Sequence, residues 1–180
     1  HQPRRQRQMC IRDRPSTGPH SNGYSLIRKI LADTQTQLSD PFESGTFLDA
    51  LLAPTRIYFK STLSLAKKRF LKGACHITGG GLTENLPRVF SKQLQAVIET
   101  SSWTLPPIFQ WLQEKGQLYY TDMYRTFNAG IGMVLIVPAD KMAAASDALH
   151  DAGETPIVIG HLQPKASPDS PSVHYQGNGV

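Results

Sequence analysis

Residues 72–90 read KGACHITGGGLTENLPRVF, and this stretch places a strand, a glycine turn and a helix in direct succession. The segment 72–78 is short, partly apolar and bounded by glycines, which is typical of a buried strand. Three glycines at 79–81 follow it, and residues 82–90 predict a short helix in which Pro87 lies in the first turn or breaks the helix. A strand that turns directly into a helix indicates a layered fold in which helices cover a sheet.

Strands and helices alternate along the rest of the chain as well. Apolar spacing and turn residues predict helices over 24–32, 46–52, 57–68, 106–115, 121–126 and 141–151, and strands over 94–100, 130–137 and 156–161. The fold class is therefore α+β (α/β layered), with a mixed sheet covered by helices. A strand should also feed the loop that begins at residue 16, but no strand pattern precedes it, so the first strand is predicted to be missing.

The two ends of the chain differ in composition from its middle. Residues 1–15 hold five of the 19 basic residues against one acid and show no apolar periodicity, which predicts a disordered, non-native tail. Residues 16–163 form the predicted domain, and residues 164–180 are predicted to be a flexible tail. Because the charge outside the first segment is nearly balanced, we expect no nucleic-acid partner, and a nucleic-acid-binding basic tail is the alternative.

Composition also bears on the compartment. No apolar run approaches the roughly 20 residues that a membrane helix needs. The two cysteines, Cys10 and Cys75, give neither a disulfide framework nor metal-ligand spacing. We therefore expect no membrane partner, no metal-ligating residue and a reducing, cytoplasmic location.

A polar loop opens into the first predicted helix. Residues 18–23 read GPHSNG, and the backbone N–H groups at the start of a helix are suited to an anion. The side chains of His20, Ser21 and Asn22 would add hydrogen-bond donors. The alternative is a plain helix cap, because serine and asparagine are preferred capping residues.

The second candidate loop, residues 78–85, reads TGGGLTEN and would let a ligand approach the backbone closely. It lacks the lysine of a phosphate-binding Walker loop, and a tight strand–helix turn is the alternative. Arg56 and Arg88 could hold phosphate oxygens or serve the fold alone. His76 lies within the predicted strand, so we expect a hydrogen-bonded core histidine.

Five blocks of the chain resemble a known family when they are taken in order: GPHSNGYSLIRKIL, LLAPTRIYFKS, HITGGGLTENLPRVF, MYRTFNAGIGMVLIV and TPIVIGHL. They are similar to the C-terminal domain of aminoimidazole ribonucleotide synthetase, also called phosphoribosylformylglycinamidine cyclo-ligase, over residues 16–163. The resemblance implies ATP-dependent ring closure of formylglycinamidine ribonucleotide to aminoimidazole ribonucleotide, in de novo purine (IMP) biosynthesis. ATP and Mg²⁺ are the implied cofactors.

The resemblance, together with the two loops, selects the candidate site residues. Catalytic roles are expected for Asn22 and His20. Binding of substrate or nucleotide is expected for Ser21, Gly23, Thr78, Gly79, Gly80, Gly81, Glu84, Asn85 and Arg56. Either loop could hold the substrate phosphate or the nucleotide.

In the family, the nucleotide and metal sites draw heavily on an N-terminal domain that also forms a homodimer. The resemblance therefore implies that this chain is inactive without such a domain and dimerises when the enzyme is complete. The alternatives are another ATP-dependent member of the same superfamily and a non-catalytic fragment.

Overall fold

The described part of the chain forms eight strands and seven helices. The computed structural model describes residues 9–177, with side chains from residue 15 onward. The strands are β1 (Met9–Pro15), β2 (Pro41–Phe42), β3 (Gly45–Thr46), β4 (Gly73–His76), β5 (Leu94–Glu99), β6 (Ile131–Pro138), β7 (Ile157–Pro164) and β8 (Val173–Gln176). The helices are α1 (Tyr24–Asp33), α2 (Phe47–Leu51), α3 (Phe59–Lys67), α4 (Gly81–Asn85), α5 (Pro107–Lys115), α6 (Tyr120–Thr126) and α7 (Met142–His150).

Six of these strands build one mixed sheet in the order β4-β6-β1-β7-β5-β8, and β2 and β3 form a small separate hairpin. All neighbours in the large sheet are antiparallel except β5 and β8, which run parallel. A mixed sheet covered by helices is the predicted fold class, which is confirmed. Strand β6 lies between β4 and β1 and is antiparallel to both. These two strands therefore run parallel to each other, and their C-terminal residues lie at the same end of the sheet.

The prediction that the first strand is missing is wrong. β1 lies inside the sheet, with β6 on one side and β7 on the other, and its backbone pairs with both. The sequence argument relied on side-chain composition, whereas a position between two strands is stabilised by backbone pairing with both neighbours. Residues 1–8 of the predicted tail lie outside the described residues.

The C-terminal segment also contributes to the sheet. Residues 173–176 form β8, whose residues Val173 to Gln176 pair in parallel with Ala96 to Glu99 of β5. Residues 173–176 of the segment predicted as a flexible tail are therefore tied down by strand β5 at one edge of the sheet. Short parallel strands depend on a distant partner, so local composition gives little signal for them. Residues 178–180 lie outside the described part.

Strand β6 is buried on both faces. Val134 and Ile136 pack in a cluster with residues of β5 and α4, whereas Leu135 and Val137 pack with residues of α3 and α7. Successive side chains of a strand point to opposite faces, so helices cover this strand on both sides. The continuous apolar run that predicted a strand over 130–137 is the pattern of such a doubly covered strand.

A third cluster joins the helices around the first candidate loop. Ile27 and Ile30, one helical turn apart on α1, pack with Phe109 and Leu112 of α5 and with Phe127. All five side chains are at most 3% exposed. The helix predicted over 82–90 is shorter, because α4 ends at residue 85 and a 3₁₀ turn over 86–89 contains the proline.

Between residues 9 and 177, no helix is both long and apolar enough to cross a bilayer. Among the side chains that the structure describes, from residue 15 to residue 177, no three His, Cys, Asp or Glu groups come together as a metal cage.

Candidate functional site

The two candidate loops meet at one end of the sheet, where strands β1 and β4 terminate. The first loop (residues 16–23) follows β1, the second loop (residues 78–85, which includes α4) follows β4, and β6 begins between them. A methyl group built on Gly79 would lie 3.4 Å from Oδ1 of Asn22, so the loops touch. Sequence reasoning selected both loops, and the topology explains why they converge: β1 and β4 are parallel neighbours of the same central strand.

The first loop has an unusual backbone. His20, Ser21 and Gly23 adopt positive φ angles of 52°, 61° and 74°. Left-handed backbone in residues other than glycine costs of the order of 1 kcal/mol each and persists only where surrounding contacts hold it. Ser21 is exposed at the tip of this turn, while His20 is buried.

Asn128 anchors the beginning of the first loop. It is fully buried, its Nδ2 donates to the carbonyl of Gly18 at 2.8 Å, and its Oδ1 accepts from the Ser16 hydroxyl and the Gly130 amide, each at 2.9 Å. One side chain thus joins the first loop to the start of β6. Asn128 was not selected as a site residue from the sequence. An asparagine directly before a glycine-rich strand start was the available signal.

The predicted helix-capping alternative is not seen in the structure. Gly23 is the cap residue of α1, and no side chain makes a capping hydrogen bond there. The side-chain amide of Asn22 instead donates to the carbonyl of His20 at 2.6 Å. The Asn22 side chain therefore stabilises the first loop by a hydrogen bond within the loop, and Oδ1 of Asn22 faces the second loop.

The His20 ring is enclosed by two other rings. Its centroid lies 6.2 Å from that of Tyr58 and 6.1 Å from that of His76, and only 5% of the residue is exposed. Burial, and secondarily the neighbouring His76, lower the pKa of His20 to about 4. His20 is therefore neutral at pH 7. Its Nε2 lies 3.0 Å from the backbone nitrogen of Thr17, and among the described residues its buried Nδ1 has no hydrogen-bond partner.

We expect acid to destabilise the fold through His20. Its folded pKa of about 4 lies below the ordinary 6.5, so the unfolded chain binds this proton more tightly. Stability is therefore complete above about pH 6.5 and is lost as the pH falls towards 4, by up to about 3 kcal/mol. Urea denaturation between pH 7 and 4 should show a smaller loss for His20→Gln. The same change at exposed His150 is the control, and equal pH dependence in both variants would contradict this prediction.

The prediction that His76 is a core histidine is wrong. His76 is the last residue of β4, which is an edge strand of the sheet formed by the described residues, and its side chain is exposed. With Tyr58, Met133 and residues of α3, it lines a cavity of about 430 Å³, which we call the α3 cavity. The ring group of His20, Tyr58 and His76 therefore lies between the first loop and this cavity.

A glycine in β6 makes room for this ring group. A Cβ atom on Gly132 would lie 1.8 Å from the hydroxyl of Tyr58 and 3.1 Å from Cε1 of His20. The Tyr58 hydroxyl passes this point to donate to the carbonyl of Pro15 at 3.0 Å. Neither Gly132 nor Tyr58 was selected as a site residue from the sequence, because their proximity arises only when β6 pairs with β1.

Asn85 organises the second loop from within. It is 2% exposed, and its Nδ2 donates to the carbonyls of Thr78, Gly79 and Gly81 at 3.3, 3.1 and 2.8 Å. Its Oδ1 accepts from the hydroxyl of Thr78 and from Arg88, each at 3.2 Å. Thr78 and Asn85 therefore shape the loop, and Arg88 supports it.

Of the remaining residues of the second loop, two glycines shape its backbone and two residues are exposed to solvent. Gly80 and Gly81 have positive φ angles of 94° and 56°, a conformation that favours glycine. Gly79 is exposed beside the first loop. Glu84 is also exposed, and its Oε1 accepts from Nε of Arg125 at 3.1 Å.

Arg56 is held by a buried carboxylate. Its Nη2 lies 2.8 Å from Oε2 of Glu154, which is 9% exposed, and the Ser61 hydroxyl donates to the other oxygen at 3.2 Å. The guanidinium is one third exposed and lines the α3 cavity. This ion pair fixes the arginine next to the ring group. Glu154 was not selected from the sequence, because it lies 98 residues away along the chain.

These features define a class of protein: a helix-covered mixed sheet in which two strand-terminal loops form a site at one end. A family profile described as AIR synthase related protein, C-terminal domain, matches residues 14–170. The chain belongs to this family.

Curated relatives show high identity over most of the chain. Phosphoribosylformylglycinamidine cyclo-ligases of Cupriavidus necator and Cupriavidus metallidurans are 46% and 48% identical to it over 158 residues, which are 88% of this chain and 45% of each relative. The enzyme of Methylobacillus flagellatus is 46% identical, with 46% of its length covered. The chain thus spans a little less than half the length of these relatives.

Solved structures share the fold at low identity. Thiamine-monophosphate kinase from Stenotrophomonas maltophilia superposes with a TM-score of 0.58 at 17% identity, over 96% of this chain and 51% of that one. A chain of the HypE–HypF complex gives 0.61 at 18%, over 96% and 50%. T. maritima PurL complexed with FGAR gives 0.56 at 11%, over 96% and 26%.

Proposed function

We propose that this chain is the C-terminal part of a phosphoribosylformylglycinamidine cyclo-ligase, which closes the imidazole ring of aminoimidazole ribonucleotide with consumption of ATP in purine biosynthesis. The observation that carries the proposal is identity of 46–48% over 88% of the chain to enzymes of that name. Convergence of the two loops supports it, because the resemblance had assigned both of them to the active site.

In the proposed reaction, ATP phosphorylates the formyl amide oxygen, and the amidine nitrogen of the same substrate then attacks the activated carbon. Phosphate leaves as the ring closes. An intramolecular attack depends on orientation, so the protein acts mainly by positioning its substrate. We assign this role to the first loop, where Asn22 Oδ1 faces the second loop and His20 offers a neutral ring.

The proposal places part of the machinery outside this chain. Among the side chains described between residues 15 and 177, no three metal-ligating groups cluster, so we assign no Mg²⁺ ligand to this part of the chain. The chain also spans less than half the length of its curated relatives. The proposed partner is therefore the N-terminal half of the enzyme, which would supply the remaining contacts to ATP and Mg²⁺ and the homodimer interface.

The test is ADP release from Mg-ATP and formylglycinamidine ribonucleotide. We would compare this chain alone with a fusion in which the N-terminal half of the Cupriavidus necator enzyme precedes it. The fusion should be active and the chain alone inactive. Asn22→Ala in the fusion should lower kcat/KM by at least about tenfold, because a misplaced contact impairs alignment.

The control variant is Gln37→Ala, at an exposed position in the connection between α1 and β2, which should leave kcat/KM unchanged. A folded fusion that never releases ADP would refute the cyclo-ligase proposal. A panel of substrates for other ATP-dependent superfamily members would then follow.

A further inference from the structure

An apolar surface lies beside the candidate site. Ile57 is 85% exposed, Phe59 66% and Leu63 37%, and all three line the α3 cavity. Large apolar side chains exposed together mark a surface that another protein part covers. We call these three residues the α3 patch.

The α3 patch is attached firmly to the candidate site. The segment before α3 is anchored by the hydroxyl of Thr17, which donates to the carbonyl of Pro54 at 2.6 Å. Arg56 is anchored by Glu154, and the hydroxyl of Tyr58 donates to the carbonyl of Pro15. The chain is therefore held on both sides of Ile57, and the Thr17 contact ties the segment before α3 to the first loop.

The charges around the patch indicate the chemistry of the partner. Residues 59–69 of α3 and its C-terminal turn contain Lys60, Lys67, Lys68 and Arg69, all exposed, and no acid. Lys60 and Lys67 are separated from Leu63 by three and four residues, so they share its helix face. A second copy of this chain docked here would bring these cations together, which is unfavourable.

We propose that the α3 patch docks the N-terminal half of the same enzyme, through an apolar surface bordered by acidic side chains. This inference rests on the proposed function for the identity of its partner. The length of the curated relatives supports this proposal, since the 158 matched residues are 45% of the Cupriavidus necator enzyme and somewhat more than half of that enzyme lies outside the match. The fold likewise occupies only half of the thiamine-monophosphate kinase chain and of the chain in the HypE–HypF complex.

The test measures thiol labelling at single introduced cysteines, in this chain alone and in the fusion with the Cupriavidus necator N-terminal half. Ile57→Cys probes the patch, and Tyr119→Cys, at a residue 77% exposed, is the matched control. Cys10 is replaced by serine throughout. Cys75 is buried with its pKa raised to about 11, so it labels slowly.

We expect position 57 to label at least about tenfold more slowly in the fusion than in the chain alone, and position 119 to label equally in both. Lys60→Glu with Lys67→Glu should restore much of the labelling at position 57. Unchanged labelling at position 57 would overturn the proposal, and so would equal protection at both positions. Protection that appears in the chain alone and grows with its concentration would show that a second copy is the occupant.

The same preparations separate this inference from the proposed function. If position 57 is protected but the fusion releases no ADP, the docking surface stands and the cyclo-ligase proposal fails. If the fusion is active while position 57 labels freely, the function stands and the docking surface is elsewhere.

Discussion

Gly81→Ala should destabilise the protein by at least about 3 kcal/mol. A Cβ atom on this residue would lie 2.2 Å from the carbonyl oxygen of Tyr124 and 2.6 Å from that of Phe127. Both obstacles are backbone atoms of α6 and its end, which cannot rotate away as a side chain can. The residue also has a φ of +56°, which alanine adopts at a cost. Urea denaturation of the chain measures the loss in the free energy of unfolding.

Gly79→Ala is the matched control from the same loop. Its nearest contact would be Oδ1 of Asn22 at 3.4 Å, an ordinary van der Waals distance. We expect its free energy of unfolding to change by less than about 1 kcal/mol. If Gly79→Ala and Gly81→Ala lower the free energy of unfolding by the same amount, the close approach of α6 is not the reason why position 81 requires glycine.

Asn128→Ala should cost on the order of 2–4 kcal/mol and release the first loop. The variant removes three hydrogen bonds at a fully buried side chain and leaves the carbonyl of Gly18 and the amide of Gly130 without this partner. It also removes the side chain that joins the beginning of the first loop to the start of β6, two residues before the left-handed turn at His20 and Ser21. Urea denaturation measures the cost, and amide exchange across residues 16–23 reports the loop.

The control for this variant is Asn22→Ala, which removes one hydrogen bond within the loop itself. Because Asn22 is partly exposed, water can replace its partners, and the expected cost is about 1 kcal/mol. Amide exchange in the first loop that stays as slow in Asn128→Ala as in the unmodified chain would show that other contacts hold the turn.

Local patterns in the sequence predicted the layered class, the two loops and most of the helices. The strand over 130–137 and the helix before Gly116 were visible, since their signals depend only on neighbours within a few residues. The loops were visible for the same reason, because glycine and small polar residues mark a chain reversal wherever they occur.

Contacts between segments that are distant along the chain could not be predicted from the sequence. Nothing near Glu154 in the chain indicates Arg56, and nothing near Gly132 indicates the Tyr58 hydroxyl. His76 was expected inside a strand, and it lies in β4. Only the order of the strands in the sheet shows that β4 is an edge strand. Its exposure therefore could not follow from its neighbours in the sequence.

The sequence by itself determined which segments turn, which are apolar, and that two polar, glycine-rich loops each open into a helix. The tertiary structure decided that residues 9–15 form a strand between β6 and β7, that the two loops share one end of the sheet, and that Asn128 and Asn85 brace them from inside. The physical reason is the range of the forces involved. Propensity and turn chemistry act over a few residues, whereas strand pairing and burial depend on partners that only folding brings together.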